Sequence, residues 1–190
     1  MSLLVVADNY LIADRKCICQ LEGYTNIQYS QKIRVSKCER FAYGSVGLLF
    51  PEKEIDTVEE MLLEKITTLS NRSEPSERLK NFIKTSCVKE DRYIVLMTRE
   101  ATLALTPTGD VYINRLHGYG TGATYFMAAY KLTGDIFKAY YQTEENVPTV
   151  GMENCEQPDV IDQNKLKSIL IVDGKIFSNL TPEILEEMKQ

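Results

Sequence analysis

Residues 3–15 of the chain read LLVVADNYLIADR. Two runs of apolar, β-forming residues flank Asp8-Asn9, and both of these turn residues tolerate the positive φ of a tight turn. The stretch therefore predicts a β-hairpin with one strand on each side of the turn. The open end of this hairpin carries Asp14 and the residues that begin the chain.

Composition limits the classes of protein to which the chain could belong. It has 190 residues, 44% of them hydrophobic, which is enough for a single domain over residues 1–190 with a well-buried core. The net charge of -5 and the scattered Lys and Arg residues argue against a nucleic-acid partner. The apolar opening at 3–6 is too short for a signal peptide, and no run approaches the roughly 18 apolar residues of a membrane span. We therefore expect a cytoplasmic protein without a membrane partner.

The cysteines do not suggest a disulfide framework or a zinc site. They are Cys17, Cys19, Cys38, Cys87 and Cys155. Their odd number and the absence of a C-x-x-C pair favour reduced thiols, and Cys17 and Cys19 are expected to pack as small apolar residues. Zinc would require closer ligand spacing and more than the single His117. The sequence thus predicts no metal and no cofactor.

The order of predicted elements is strands, helices, strands, helices and a final hairpin. Strand patterns occupy the first fifty residues, apart from turn residues at 22–26, and also 93–115. Helical periodicity marks 57–69, 76–83, 123–132 and 135–142, and the expected caps of the first two helices are Asp56 or Thr57 and Ser76. A hairpin is predicted at 167–177 and a terminal helix from Thr181, whereas 143–163 reads as polar and irregular. Tight turns between strands imply antiparallel pairing. The predicted fold is α+β, with two antiparallel sheets stacked between two helical layers in a four-layer αββα sandwich.

Three further segments add chemistry to the hairpin. Lys32-Ile33 begins a strand, and residues 40–47 read RFAYGSVG, in which Gly44 and Gly47 suggest a bend or a close backbone approach. Residues 118–122 read GYGTG and open a helix. Together with the strand that ends in Ala13-Asp14-Arg15, these segments resemble, in the same order, the motifs of proteasome-type N-terminal-nucleophile hydrolases, the family of proteasome β-subunits and the bacterial HslV peptidase. The resemblance covers most of residues 1–140.

The resemblance implies a role for five residues. In this family an N-terminal hydroxyl residue attacks the peptide bond and its own α-amine serves as the base. The matching positions are Ser2 as nucleophile if Met1 is removed, Asp14 as orienting acid, Lys32 as tuning cation, Gly47 as oxyanion-hole amide and Thr121 as a hydroxyl near the amine. The resemblance also predicts that Asp14 and Lys32 lie within salt-bridge distance.

Each of these residues also has a plainer interpretation. Asp14 could be a surface acid, Lys32 a solvated strand residue, and Ser2 an ordinary first residue. For Thr121 the favoured interpretation is a helix N-cap, whether or not the chain is a hydrolase. His117 is expected to be structural.

Hairpin length decides between two expectations of function. The hairpin is a few residues shorter than in the family, and three residues of strand span about 10 Å. This favours a subunit that keeps the fold but has impaired or lost peptide-bond hydrolysis and an assembly or interaction role. The alternative is an active N-terminal-serine peptidase that uses Ser2.

Two surfaces are candidates for partners. The resemblance implies a homo-oligomer, with the helix around Met61-Leu62 and the segment 125–130 as candidate apolar faces. A third possibility is an interaction protein that binds a protein or peptide through 143–163, and deletion of that segment should then leave the fold intact.

Overall fold

The computed structural model describes residues 3–21, 23–172 and 175–177. The helix predicted from Thr181 lies outside these residues. Within them the helices are α1 (Ile55–Asn71), α2 (Glu77–Ile83), α3 (Ala123–Thr133) and α4 (Ile136–Asn146). The strands are β1 (Leu4–Ala7), β2 (Tyr10–Ala13), β3 (Lys16–Leu21), β4 (Tyr24–Tyr29), β5 (Ile33–Val35), β6 (Phe41–Val46), β7 (Tyr93–Thr98), β8 (Thr102–Thr106), β9 (Gly109–Ile113), β10 (Leu116–Tyr119), β11 (Asp159–Asp162), β12 (Leu170–Val172) and β13 (Lys175–Phe177).

The N-terminal hairpin forms the centre of one antiparallel sheet. In the described part of the chain this sheet has the order β10-β1-β2-β11, so that both hairpin strands are flanked by later segments. The predicted turn at Asp8-Asn9 is confirmed, and Asp8 adopts a φ of 49°. Strand pairing on both sides explains why β1 and most of β2 are buried and read as continuous apolar runs.

A second antiparallel sheet has the order β5-β6-β7-β8-β9 among the described residues. Its strands follow one another in sequence and are joined by turns, except that α1 and α2 are inserted between β6 and β7. Strands β3 and β4 pair only with each other and follow β2 in the chain. Strands β12 and β13 form a second two-stranded pair near the end of the described residues.

Alternation of side chains along β1 separates the hydrophobic layers. Leu4 and Val6 face the second sheet and share a buried cluster with Ala42 and Val95. Side chains on the opposite face of β1 pack with helices α3 and α4 in a second cluster, and the outer face of the second sheet packs on α1 in a third. The predicted αββα order of layers is confirmed. Alternate residues of a strand point to opposite faces of its sheet, so each sheet packs against the other sheet on one face and against helices on the other.

The predicted N-cap of α2 agrees with the structure, whereas that of α1 does not. Ser76 and Asp135 cap α2 and α4 through their side chains, accepting hydrogen bonds from Leu79 and from Phe137 and Lys138. The predicted cap of α1 at Asp56 or Thr57 is wrong, because a 3₁₀ turn at Glu52–Glu54 leads directly into α1 at Ile55.

The sequence analysis missed strands with little apolar periodicity. Strand β4, in a stretch assigned partly to a turn, has an almost fully exposed face, and β10 carries only half-buried residues. Strand β11 lies within 143–163, which was expected to be irregular. These strands are stabilised by pairing with neighbours and not by a buried face of their own, so a hydrophobic pattern could not reveal them.

One predicted oligomer face is already covered within the chain. Met61 and Leu62 are 1% and 0% exposed, since they point toward the protein interior. The other candidate face is divided: Phe126 is fully buried, whereas Tyr125 is 40% exposed. Within the described ranges, no helix has the length and apolar character needed to cross a membrane.

Gly44 sets the distance between β6 and its neighbours. A Cβ at this position would lie 2.6 Å from Ile33 Cγ2 and 2.8 Å from Leu4 Cδ1, closer than real side chains approach. The absence of a side chain therefore lets the strand after Lys32 pack against the start of β1. The close approach predicted from the sequence at Gly44 is confirmed.

We expect Gly44→Ala to destabilise the fold by about 1–3 kcal/mol, because the added methyl group overpacks this contact. Urea unfolding measures the change. Introducing the same substitution into an Ile33→Ala background removes one of the two clashing groups, so its additional cost there should be smaller. Equal costs in both backgrounds would contradict the proposed contact.

Candidate functional site

The Asp14 carboxylate lies at the open end of the N-terminal hairpin and is 0% exposed. Its Oδ1 accepts hydrogen bonds from the Leu3 amide at 2.8 Å and from Lys32 Nζ at 2.5 Å. Its Oδ2 accepts a hydrogen bond from the Gly151 amide at 3.1 Å. A buried carboxylate requires such partners, and three segments of the chain supply them here.

Lys32 completes a buried ion pair. Its side chain is 1% exposed, and its ammonium group also donates to the carbonyl of Lys16 at 2.7 Å. The predicted salt bridge between Asp14 and Lys32 is confirmed, and the interpretation of Lys32 as a solvated strand residue is wrong. Lys32 immediately precedes β5, so the second sheet delivers the cation while the first sheet delivers the acid.

Burial acts on both members of the pair. Removal from water raises the pKa of Asp14 above its ordinary value, opposed by the charge and the hydrogen bond of Lys32. The same desolvation lowers the pKa of Lys32, opposed by the attraction of Asp14. The pair is thus held in a dry environment, where its electrostatic effect on nearby groups is larger than at a surface.

The shortened hairpin does not separate its open end from Lys32. Leu4 is paired with Ala13, and Asp14 donates its amide to the Leu3 carbonyl at 3.3 Å. When an antiparallel hairpin loses residues at its turn, both strands shorten together and their open ends stay opposite each other. The displacement of about 10 Å was expected for Ser2 and stays a prediction, although Leu3 lies within hydrogen-bond reach of Asp14. Ser2 itself lies outside the described residues.

An open cleft of about 520 Å³ borders the ion pair. Lys32 and Gly47 both line it, and Gly47 adopts a φ of 100°, which favours glycine. Cys17 and Cys19, both on β3, also line this cleft. Cys19 is exposed, so the expectation that both cysteines pack as small apolar residues is wrong for Cys19.

Thr121 does not cap a helix as predicted. Helix α3 has Gly122 at its N-cap position and no side-chain cap hydrogen bond. The Thr121 hydroxyl instead contacts the Thr149 hydroxyl at 2.5 Å. His117 lies on β10 with its ring 4.9 Å from that of Tyr119, an arrangement consistent with the structural role expected for it.

The sequence analysis missed the contribution of residues 148–151 to the site. Besides the bond to Asp14, Gly151 accepts hydrogen bonds through its carbonyl from the amides of Arg15 and Lys16. Pro148 accepts a hydrogen bond from Lys16 Nζ at 2.6 Å. These bonds, together with the pairing of β11 with β2, argue against the expectation that 143–163 could be deleted without loss of the fold. The sequence signal was a proline followed three positions later by a glycine in an irregular segment, and it does not indicate a partner 137 residues away.

Across the described ranges, no three His, Cys, Asp or Glu side chains are grouped so that they could hold a metal ion. What the site offers instead is a dry acid–cation pair, backbone amides and an adjacent cleft. This combination is suited to orienting and polarising an oxygen or nitrogen group at the start of β1.

Comparison with solved structures identifies the fold. The chain is similar to eukaryotic HslV from Trypanosoma brucei, at 12% identity and a TM-score of 0.54, over 84% of this chain and 99% of that one. It is also similar to BPH of Thiobacillus denitrificans, at 11% identity and a TM-score of 0.52, over 85% and 97% of the two chains. The same protein in complex with epoxomicin matches at 12% identity and a TM-score of 0.50, over 85% and 98%.

No protein-family model and no curated protein sequence matches the chain. At 11–12% identity, the structural likeness establishes the fold and leaves the activity to the site residues. The protein thus has the fold of HslV and proteasome-like N-terminal-nucleophile hydrolases, as its sequence motifs predicted.

We expect Lys32→Met to destabilise the protein by about 3–5 kcal/mol at pH 7, because it leaves the Asp14 carboxylate buried without a counter-ion. Loss of the cation also raises the Asp14 pKa further, so the folded variant holds a proton that the unfolded chain releases. The variant should therefore gain stability as the pH falls toward 5. Urea unfolding at several pH values measures both effects.

Two controls accompany this measurement. In Lys32→Met/Asp14→Leu the unpaired charge is absent, so most of the lost stability should return. Lys37→Met breaks the exposed pair with Asp56, whose side chains are 72% and 76% exposed, and should change stability little. An equal effect of Lys32→Met and Lys37→Met would show that the buried pair is not a structural requirement.

Proposed function

We propose that this protein hydrolyses peptide bonds with Ser2 as its N-terminal nucleophile, once the residue preceding Ser2 is removed. The observation that carries the proposal is the hydrogen bond from the Leu3 amide to Asp14 Oδ1, the same oxygen that accepts from Lys32. Ser2 is joined to that amide nitrogen by a peptide bond of about 1.33 Å. The ion pair thus holds the amide nitrogen to which Ser2 is covalently joined, and this supports a role for Ser2 in the proposal.

The proposed roles follow from the chemistry of the groups. The Ser2 oxygen attacks the substrate carbonyl carbon while its proton passes to the Ser2 α-amine, whose ordinary pKa near 8 leaves part of it neutral. The positive charge of Lys32 favours the developing alkoxide, and Asp14 fixes the position of Lys32. Gly47 is proposed to donate its amide to the oxyanion, and Thr121 to contact the amine.

Completion of the reaction requires no further reactant than water. Collapse of the tetrahedral intermediate breaks the carbon–nitrogen bond, and the proton held by the α-amine moves to the leaving amine. Water then hydrolyses the Ser2 ester, with the α-amine again accepting a proton. The cleft of about 520 Å³ beside Lys32 and Gly47 is the proposed place for the substrate peptide.

The first test is the state of the N-terminus together with turnover. Intact-mass measurement should show a chain that begins at Ser2, and that chain should hydrolyse short fluorogenic peptide amides. Ser2→Ala should abolish hydrolysis, whereas Ser2→Thr, which keeps a hydroxyl and an α-amine, should retain it. A peptide epoxyketone captures an adjacent hydroxyl and amine. It should therefore add its mass to the wild-type chain and not to Ser2→Ala.

Ser73→Ala is a matched control, since Ser73 lies in the loop between α1 and α2, away from the ion pair. It should leave turnover unchanged. A chain with a free Ser2 amine that shows neither turnover nor adduct would contradict the proposal. The result would favour the other expectation, a subunit that keeps the fold for assembly or interaction.

We also propose that the protein self-associates through α3 and α4. Their surface carries Leu132 at 88% exposure, with Tyr125, Phe137 and Tyr141 between 37% and 40%. Sedimentation velocity should detect an assembly that dissociates on dilution and is weakened by Leu132→Glu. Val88→Glu, at an exposed apolar position beyond α2, should leave the assembly intact. A monomer at all micromolar concentrations would rule this proposal out.

A further inference from the structure

A second cavity opens on the other side of Lys32. It has a volume of about 480 Å³, and its walls include Lys32, Arg34 and Ser45. It shares Lys32, together with Leu49 and Phe50, with the cleft described above. If a peptide lies in the cleft with its reacting carbonyl near Lys32, this cavity is within reach of the side chain that precedes the cleaved bond.

Strand pairing concentrates polar groups on one wall of this cavity. Arg34 on β5 is paired with Tyr43 on β6, and Ser45 donates its amide to the Lys32 carbonyl at 3.2 Å. Tyr43 and Ser45 are two residues apart on β6 and therefore lie on one face of that strand, and Arg34 is paired beside Tyr43 on the same face. The wall thus places the Arg34 guanidinium near the Ser45 hydroxyl, with Lys32 at its edge.

The Ser45 hydroxyl is available to a ligand. The residue is 4% exposed and lines the cavity. Among the described residues, only Arg40 Nε is a buried side-chain nitrogen or oxygen without a hydrogen-bond partner, so the Ser45 hydroxyl can bind water in the cavity and exchange it for a polar ligand group. Tyr43, by contrast, already donates its hydroxyl to Glu59 at 3.1 Å.

Arg34 is the more fixed member of its ion pair. Its side chain is 26% exposed, whereas that of its partner Glu52 is 77% exposed. An exposed carboxylate held by such a pair is displaced at little cost. A substrate carboxylate can therefore replace Glu52 on Arg34, but a substrate cation would have to approach both Arg34 and Lys32.

The nearby carboxylates do not offset this preference. Glu59 accepts hydrogen bonds from Tyr43 and from the Lys37 amide at 2.9 Å, and Asp14 is fully buried against Lys32. Glu52 is the remaining carboxylate in the lining, and it stands at the exposed side of the cavity. An apolar side chain would leave both Arg34 and Ser45 without a ligand partner.

We propose that this cavity selects an acidic side chain, Glu or Asp, at the substrate residue immediately before the cleaved bond. Arg34 binds the carboxylate in place of Glu52, and the Ser45 hydroxyl donates a hydrogen bond to it. The inference rests on the hydrolase proposed above and adds the class of substrate to it. Arg34 and Ser45 are specificity residues in this scheme and take no part in bond cleavage.

Peptide pairs that differ only in charge test the proposal. We expect kcat/KM for a fluorogenic peptide with Glu before the cleaved bond to exceed that of its Gln counterpart by about ten- to a hundredfold. Arg34→Gln should bring this ratio close to one, and Arg34→Lys should keep part of it. Arg78→Gln breaks an exposed Arg–Glu pair between α1 and α2 and should leave the ratio unchanged.

A binding measurement separates this inference from the hydrolase itself. Fluorescence anisotropy with Ser2→Ala and labelled peptides that carry Glu, Gln, Leu or Lys at the same position reports the preference without turnover. Tighter binding of the Glu peptide, lost in Arg34→Gln, supports the acidic site even if no peptide is cleaved. Equal binding of Glu and Gln peptides, or tighter binding of the Lys peptide, overturns it, whatever the turnover.

Discussion

A carboxylate removed from water must have its charge balanced and its oxygen atoms hydrogen-bonded, and Asp14 imposes this requirement on distant parts of the chain. The start of β1, the residue before β5 and the segment after α4 each provide one donor to it. Loss of any one donor leaves a buried charge less well satisfied, which is more costly than the loss of a surface contact. The two sheets and the segment at 148–151 are therefore fastened together at a single side chain.

The layered fold makes this convergence possible. Two antiparallel sheets stacked face to face bring the open end of the N-terminal hairpin beside the residue that precedes β5, and Gly44 permits the close approach of the strands. Leu4 pairs with Ala13 at this open end, so the strand register keeps the start of β1 opposite Asp14. The fold is shared with HslV at 12% identity, since layer order depends on the pattern of apolar residues more than on particular side chains.

Charge is distributed unevenly around Lys32. On one side the fully buried Asp14 neutralises it, and on the other the cavity wall adds Arg34, whose partner Glu52 is largely in solvent. Buried groups hold their geometry, whereas exposed groups can exchange partners. The residue before β5 therefore provides a fixed group for the proposed chemistry, and β5 provides, two residues later, a group suited to recognition.

The sequence by itself determined the alternation of apolar residues, the turn at Asp8-Asn9, the cap at Ser76, and the order of elements that predicts an αββα sandwich. It also brought Asp14 and Lys32 to attention through their match to known motifs. These features are local or follow from chain order, so the pattern of residues is sufficient to read them. The tertiary structure decided the register of the hairpin's open end, the contact of Gly151 with Asp14, the partner of Thr121 and the cavity beside Arg34. Each depends on which distant segments are brought together, and no local periodicity encodes that.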